Sequence, residues 1–485
     1  MTTEALLVTA LLLPLAGGLC IILTGRQPNL REACTLVTSG LLCLAVITML
    51  FRVLDGARPE YILVDMLPGL AIHFEVEPLG MLFATIAAVL WPINSVYSIG
   101  YMRGNKEKNQ TRFYFFFAVA IFGAMGVAFA GNLVTLFLCY EVLTLSTFPL
   151  VAHKGNDAAR DGGRVYLGIL LATSIGLLLP AIVWTWNVAG TVTFTAGGIL
   201  ADRLAGPALT VLALMYLLGI GKAAVMPVHR WLPAAMVAPT PVSALLHAVA
   251  VVKAGVFSVV KVTVYILGID HVAGAPGIHW LLWLAGFTVI VASLVALRQD
   301  NLKMRLAYST VSQLSYVVLG TMLLAPISIV GAALHILAHA FGKITLFFAA
   351  GSIYTSSKKT EVSQLDGIAR RMPWTMTAFA IGALSMIGVP PAAGFVSKWY
   401  LLTGAIEAEQ LVAVGVIVVS TLLNAAYFVP IIYVAFFRRE SSESMLTYGE
   451  APWPVVAAVC ATAAITVSLF LFPGLALELV HRIPT

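Results

Sequence analysis

The sequence has 485 residues, of which 60% are apolar and only 10% charged, with a mean hydropathy of +0.96. A soluble globular chain carries roughly a quarter charged residues, so that class is excluded. Disorder, a collagen-like repeat and a disulfide-stapled secreted domain are excluded too, because apolar content is high, the 40 Gly follow no triplet period and five Cys form no framework. What remains is an integral membrane protein. The net charge of +6 does not point to nucleic acid, since Lys and Arg stand in short clusters between apolar runs and not along one helix face.

The opening Met-Thr-Thr-Glu has no basic region ahead of its long apolar run, so the first segment is expected to remain as a helix and not to act as a cleaved signal peptide. A bilayer core about 30 Å thick takes about 20 apolar residues per helix. That ruler predicts about fourteen spans, at 4–24, 33–51, 78–100, 113–130, 132–152, 165–187, 207–227, 241–267, 279–297, 303–323, 328–354, 374–403, 409–437 and 452–476. The runs are long and continuous, which excludes a β-barrel. The expected fold class is therefore an all-α integral membrane protein.

The basic residues sort themselves by loop. Loops after odd-numbered spans hold clusters such as Arg26 and Arg31, Arg103 to Arg112, Arg298 to Arg305, Arg370 with Arg371, and Arg438 with Arg439, whereas even-numbered loops and the termini hold only Arg52, Arg58, Arg203 and Arg482. By the positive-inside rule the odd loops are cytoplasmic. This predicts a multi-pass protein of the cell (inner) membrane with both termini on the non-cytoplasmic side.

Five cations, Lys222, Lys253, Lys261, Lys343 and Lys398, fall inside predicted spans, and Glu141 lies near the centre of one. A charge at mid-bilayer costs about 2.5–3.5 kcal/mol on translocon scales, so all six need an explanation. Lys261 and Lys343 stand nearer helix ends, where a long stem can snorkel to the interface. Glu141 cannot reach far and Lys253 sits midway, so a purely structural role for either needs a buried partner.

Three histidines also fall in spans. His247 alone reads as a packing group. His335, His339 and Lys343 recur every four residues and form one polar stripe. A His pair at this spacing is a common half-site for metal, but no carboxylate or Cys is placed to complete it, so no metal is expected. Five Cys, mostly in apolar runs, read as small core residues. No Walker loop, dinucleotide fingerprint, His-Glu-x-x-His or Cys-x-x-Cys is present, so neither a cofactor nor an enzymatic centre is expected in this chain.

Two spans are interrupted. In 207–227, Gly219 and Gly221 lead to Pro227, and in 374–403, Pro390 and Pro391 lead to Gly394 and Lys398. Each interruption frees backbone groups that lipid cannot satisfy, and paired broken helices are the best sequence pointer to a transport site. Each break is fourth in a run of five spans. Five is odd, so the second unit must enter from the opposite face. The expected organisation is an N-terminal three-helix segment (1–112), a first five-helix repeat (113–267), a second, inverted repeat (279–438) and a C-terminal helix (439–485).

The stretch from Met226-Pro227-Val-His229-Arg-Trp231 through Pro239-Thr240-Pro241-Val-Ser243 to His247 resembles the signature loop of the antiporter-like subunits shared by respiratory complex I, membrane-bound hydrogenases and Mrp-type cation/proton antiporters. Tyr140-Glu141, Arg305 to Gln313, and His335 through Lys343 agree in order and spacing, and the resemblance covers nearly the whole chain. Pro390 to Tyr400 most resembles the Mrp D subunit, with Lys398 where the complex I M-type subunit has Glu. Ala234 and Val237 depart from the acidic residues common in complex I members, Tyr140 stands where several relatives have Trp, and no long lateral helix follows the fourteenth span.

The resemblance implies that Glu141 and Lys222 form an ion pair, that Lys253 is the central proton carrier and Lys398 the terminal one, and that His247, His335 and His339 with water link them. It implies partners as well: other membrane subunits of an antiporter or redox complex, H+, and Na+ or K+. His247 and Lys253, six residues apart, project about 120° from each other on a regular helix, so water or a local break must lie between them. A buried lysine loses the hydration that favours its ammonium form and can then release a proton near neutrality. Opening of the Glu141–Lys222 pair would expose an ammonium whose field, roughly 4 kcal/mol at 4 Å and an effective dielectric of 20, repels the proton on Lys253. A passive scaffold is the competing class, and it has no use for charges placed in hydrocarbon.

Overall fold

Long apolar runs fold as helices wherever lipid offers the backbone no partner, and the computed structural model, which describes residues 2–67, 70–201, 203–440 and 448–484, follows that rule with one addition. After α1 (Thr3–Leu23) and α2 (Pro28–Leu54) the chain makes an antiparallel hairpin of β1 (Glu60–Leu67) and β2 (Leu70–Glu75), with Tyr61 opposite Phe74 and Ile62 opposite His73. The hairpin is a small addition to a fold that is otherwise helical, as the sequence leads one to expect. Aromatic and β-branched residues on both sides of Pro68-Gly69 carry the hairpin signal, but each run is too short for a ruler cut to a bilayer.

Next come α3 (Pro78–Gly104), α4 (Gln110–Ala128) and α5 (Leu133–Val151). Helices α6 (Asp157–Thr173) and α7 (Leu179–Ala189) are joined through a π turn at Ser174–Leu178. Helix α8 (Pro207–Gly219) ends at the first break and is followed by the short α9 (Trp231–Ala234), α10 (Thr240–Ala244), α11 (Val251–Val262) and α12 (Ile269–Ala273). Then follow α13 (His279–Arg298), α14 (Leu302–Met322), α15 (Pro326–Ser357), α16 (Pro373–Ile387), α17 (Ala393–Glu407), α18 (Leu411–Phe437), α19 (Trp453–Leu471) and α20 (Gly474–Val480).

Among the described residues ten helices are long and apolar enough to cross a membrane, counting α6 with α7, and α8 and α16 are apolar but shorter. The difference from about fourteen has a physical cause. Breaks divide the spans at 207–227, 241–267 and 374–403 into pieces, and α14 carries a polar face of Ser309, Gln313 and Tyr316 inside its 21 residues. At the centre lies α15, whose apolar window is 89% buried and which packs against α3, α10, α11, α14, α16, α17 and α19. Its residues therefore see protein, not lipid.

Both breaks fall where the glycines and prolines stand. After Gly219 the chain forms a 3-10 turn at Gly221–Ala223, and Ala224 takes a left-handed φ of 56°. After Ile387, Gly388 has φ 90°, and α17 starts at Ala393. At both places side chains bond the freed backbone groups. Trp231 Nε1 donates to Gly221 O at 2.9 Å, Lys222 N donates to the Tyr140 hydroxyl at 3.0 Å, and Met226 N donates to Thr288 Oγ1 at 3.2 Å. In the second break, Lys398 Nζ donates to Ile387 O at 2.9 Å, and Gln313 and Asn424 both donate to Met386 O at 3.3 Å. A Cβ at Gly394 would overlap the Ser385 carbonyl, so this glycine lets α17 start tight against α16.

A buried polar axis as the candidate functional site

The first break holds Lys222 fully buried on a 3-10 turn. Its Nζ donates to Tyr140 O at 2.8 Å and Thr144 Oγ1 at 2.5 Å, and lies 3.0 Å from the centroid of the Tyr140 ring. The direct ion pair expected with Glu141 is not formed. No Glu141 oxygen lies within 4.0 Å of Lys222, and neither carboxylate oxygen has a hydrogen-bond partner among the described residues. The reason is helical geometry: Glu141 follows Tyr140 on α5, so its side chain points about 100° away from the face that Lys222 grips. It remains the charged neighbour of Lys222.

Helix α11 meets that same turn. A Cβ at Gly255 would overlap the backbone at Lys222 and Ala223, so only glycine permits this approach, and it sets Lys253 two residues from the contact. Between His247 and Lys253 the structure has a π turn at Leu245–Val249 and then Ala250 at φ −120°, ψ −69°. This is the local break their spacing requires. The side chain of His247 lies outside the described residues.

Lys253 is fully buried, and its Nζ is 2.6 Å from His339 Nδ1 on α15. One turn along, the His335 ring lies 6.3 Å from that of His339, centroid to centroid. His335 is held at both nitrogens, Nδ1 by Ser397 Oγ at 2.9 Å and Nε2 by Gln313 Oε1 at 3.1 Å. Its ring stands 5.5 Å from Tyr316, whose ring centroid in turn lies 4.7 Å from Lys398 Nζ. Lys398 also reaches Thr421 Oγ1 at 3.3 Å and borders a cavity of about 320 Å³ with Phe395, Trp399 and Leu402 on its walls. Lys253, His339, His335, Tyr316 and Lys398 thus follow one another through the protein interior, the first two in direct contact and the rest at ring separations of 4.7–6.3 Å.

The remaining cations do not snorkel. Lys343 is fully buried and donates to Ser309 Oγ at 2.8 Å, and Tyr427 OH donates to the same oxygen at 3.0 Å. It leaves the His stripe for a side branch but stays a charged neighbour of Lys253. Lys261 is ion-paired with Glu77 at 3.1 Å and donates to Ala130 O at 2.8 Å. Glu77 also caps α3 through Leu79 N and Gly80 N, both at 2.9 Å, and accepts from Tyr265 OH at 2.7 Å. Sequence reasoning missed Glu77, Tyr316, Gln313, Ser397 and Ser309 as parts of the site. The available signals were an acidic residue immediately before the Pro at a helix start and, on α14, polar residues at 309, 313 and 316, the spacing of one helix face. No group of three or more His, Cys, Asp or Glu side chains that could hold a metal exists among the described residues.

Residues 130–424, more than half of the chain and the whole of this axis, match the family described as NADH:quinone oxidoreductase/Mrp antiporter, TM. The chain is 33% identical over 414 residues to NADH-quinone oxidoreductase subunit N of Desulforudis audaxviator, covering 84% of this chain and 80% of that one. It is 31% identical over 453 residues to the A/B subunit of the probable K(+)/H(+) antiporter of Rhizobium meliloti, covering 91% of this chain but only 44% of the relative. In fold it is similar to a chain of the Mrp complex from Dietzia sp. DQ12-45-1b, with a TM-score of 0.88 and 22% identity over 100% of this chain and 97% of that one. A chain of the membrane-bound sulfane sulfur reductase, an archaeal respiratory membrane complex, aligns with a TM-score of 0.85 and 22% identity over 98% and 96% of the two. Fold and buried axis together define an antiporter-like, multi-pass membrane subunit. The chain belongs to the NADH:quinone oxidoreductase/Mrp antiporter family.

Proposed function

We propose that this chain translocates protons through its buried axis as an Mrp D-like subunit of a monovalent cation/proton antiporter, with Na+ or K+ as the exchanged ion. It works beside other membrane subunits in the cell inner membrane, both termini on the non-cytoplasmic side, and its two five-helix units are inverted repeats of one another. The observation that carries the reading is the 2.6 Å contact of Lys253 with His339, the first step of a file that ends at Lys398.

The roles follow from the chemistry of the groups. Lys253 loads and releases a proton, His339 and His335 accept it at one ring nitrogen and release it at the other, and Lys398 receives it beyond Tyr316. Glu141 and Lys222 act by field: an ammonium unpaired from its carboxylate repels a proton held on α11. In the arrangement described, Lys222 rests on Tyr140 and Thr144, the open state of that switch. Lys343, on its side branch, is near enough for its charge, when it carries a proton, to act on Lys253.

A second reading, a proton-pumping subunit driven by quinone or hydrogen chemistry in partner subunits, is favoured by the identity to subunit N over most of both chains. The test common to both is Lys253→Arg, because arginine keeps its proton in this range. Assembled Lys253→Arg protein in vesicles is expected to lose proton transport, and retained transport overturns the relay. Dissipation of a pH gradient on adding Na+ or K+ without a redox donor supports antiport; dependence on the donor supports the second reading.

A further inference from the structure

On the face that carries the basic loops, a cavity of about 230 Å³ opens where the ends of α3, α14 and α15 meet the segment before α10. Among the described residues three cations line it, Lys154, Lys303 and Lys359, and no carboxylate does. Lys303 Nζ donates to Met236 O at 2.8 Å and Ala238 O at 2.6 Å, which leaves one of its three N–H groups to spare. The Lys154 side chain is exposed and makes no hydrogen bond or ion pair with the described residues. Lys359 donates to Tyr448 OH at 3.0 Å and has its nearest carboxylate, Glu440, outside the cavity at 3.9 Å. The Thr240 and Tyr101 hydroxyls, 3.5 Å apart, form the inner wall. Two more acidic groups act here at a distance, Glu107 on Lys303 and Asp366 on Lys359.

We propose that this cavity is a binding site for a phosphate group. Lys154 and Lys303 act on one another as like charges with no carboxylate in the wall, an arrangement that an entering anion relieves. A tetrahedral oxyanion offers an oxygen to each of them and further oxygens to the Thr240 and Tyr101 hydroxyls. The site lies at a membrane surface where anionic headgroups concentrate, so the phosphate comes either from such a headgroup or from solution. The site is separate from the axis of Lys253 and Lys398, and its test does not depend on transport.

The full chain, in the assembly that carries it, is placed in nanodiscs of phosphatidylcholine with or without phosphatidylglycerol, and retained lipid is read by native mass spectrometry. In parallel, thermal unfolding is followed against inorganic phosphate at constant ionic strength, with chloride as control. Lys154→Gln removes an exposed charge that holds nothing else; Lys154→Gln with Lys303→Gln empties the site further. Retention of phosphatidylglycerol by the unmodified chain, lost severalfold in Lys154→Gln, identifies a headgroup. A phosphate-specific rise in unfolding temperature that disappears in Lys154→Gln identifies free phosphate. Equal lipid retention and equal phosphate response in the unmodified chain and Lys154→Gln overturn the proposal.

Discussion

Lys253 on α11 and His339 on α15 are 86 positions apart in sequence, yet Lys253 Nζ and His339 Nδ1 approach to 2.6 Å, both side chains fully buried. When Lys253 carries its proton it donates in that contact and the imidazole accepts at Nδ1. In the proposed relay this is the arrangement from which a proton on the lysine passes to the ring.

His339→Gln is therefore expected to keep the helix packing while removing the group that takes the proton. General acid–base groups contribute roughly 10²–10⁴-fold, and a fall of at least about 100-fold in proton transport per assembled complex is expected, measured by pH-gradient dissipation in vesicles. Transport within a few-fold of the unmodified chain would mean that the proton bypasses His339.

Glu141 holds no hydrogen bond with the described residues, so Glu141→Ala and Glu141→Gln remove charge without removing a contact. Assembly is expected to be retained, most closely in Glu141→Gln, which keeps the side-chain volume, while proton transport is abolished. A variant that assembles normally and still transports refutes an electrostatic role for this carboxylate.

Lys261 and Glu77 form a buried pair away from the proposed file. Breaking one partner of such a pair typically costs about 3–5 kcal/mol, because the other charge is left uncompensated. Lys261→Met is expected to lower the unfolding temperature sharply. Lys261→Met with Glu77→Gln, which keeps one of the two acceptors that cap α3 but not the charge, recovers part of that loss. Transport normalised to assembled protein stays unchanged in the double variant.

Gly255 touches the backbone of the turn that carries Lys222. Gly255→Ala forces α11 and that turn apart, at a cost of about 1–3 kcal/mol for overpacking, read as a lower unfolding temperature. It moves Lys253 relative to both Lys222 and His339, so transport falls as well.

His153 follows α5 in a basic loop, buried beside Arg112, which donates to its carbonyl at 2.8 Å. Burial, then the Arg112 charge, push its imidazole down to about 4 from 6.5. The unfolded chain therefore binds the proton first, so the stabilisation is complete above about pH 6.5 and is lost as pH falls toward 4. Across that window the unfolding temperature of His153→Phe should vary less with pH than that of the unmodified chain.

Much of this molecule is legible in one dimension. The ruler of about 20 apolar residues finds the long helices because lipid forces each span to satisfy its own backbone, a local constraint written locally. The breaks at Gly219–Pro227 and Gly388–Gly394 are legible for the same reason, since glycine and proline act on their own neighbours. The hairpin at 60–75 escapes because its runs are short, and Glu77 escapes because a capping carboxylate looks like any loop acid until its lysine is found.

Burial of Lys222, Lys253 and Lys398, their order along the chain and the membrane character follow from the sequence alone, since a charge inside an apolar run has only protein or water to turn to. The burial of Lys343, near enough to a helix end to snorkel, does not. Which partner each takes was settled by tertiary packing. Lys222 goes to Tyr140 and Thr144 in place of Glu141, Lys253 to His339, Lys343 to Ser309, and Lys261 to Glu77. Spacing fixes the face of a helix on which a side chain stands. The group across from it depends on how separate helices cross, and that is decided by packing between residues far apart in the chain.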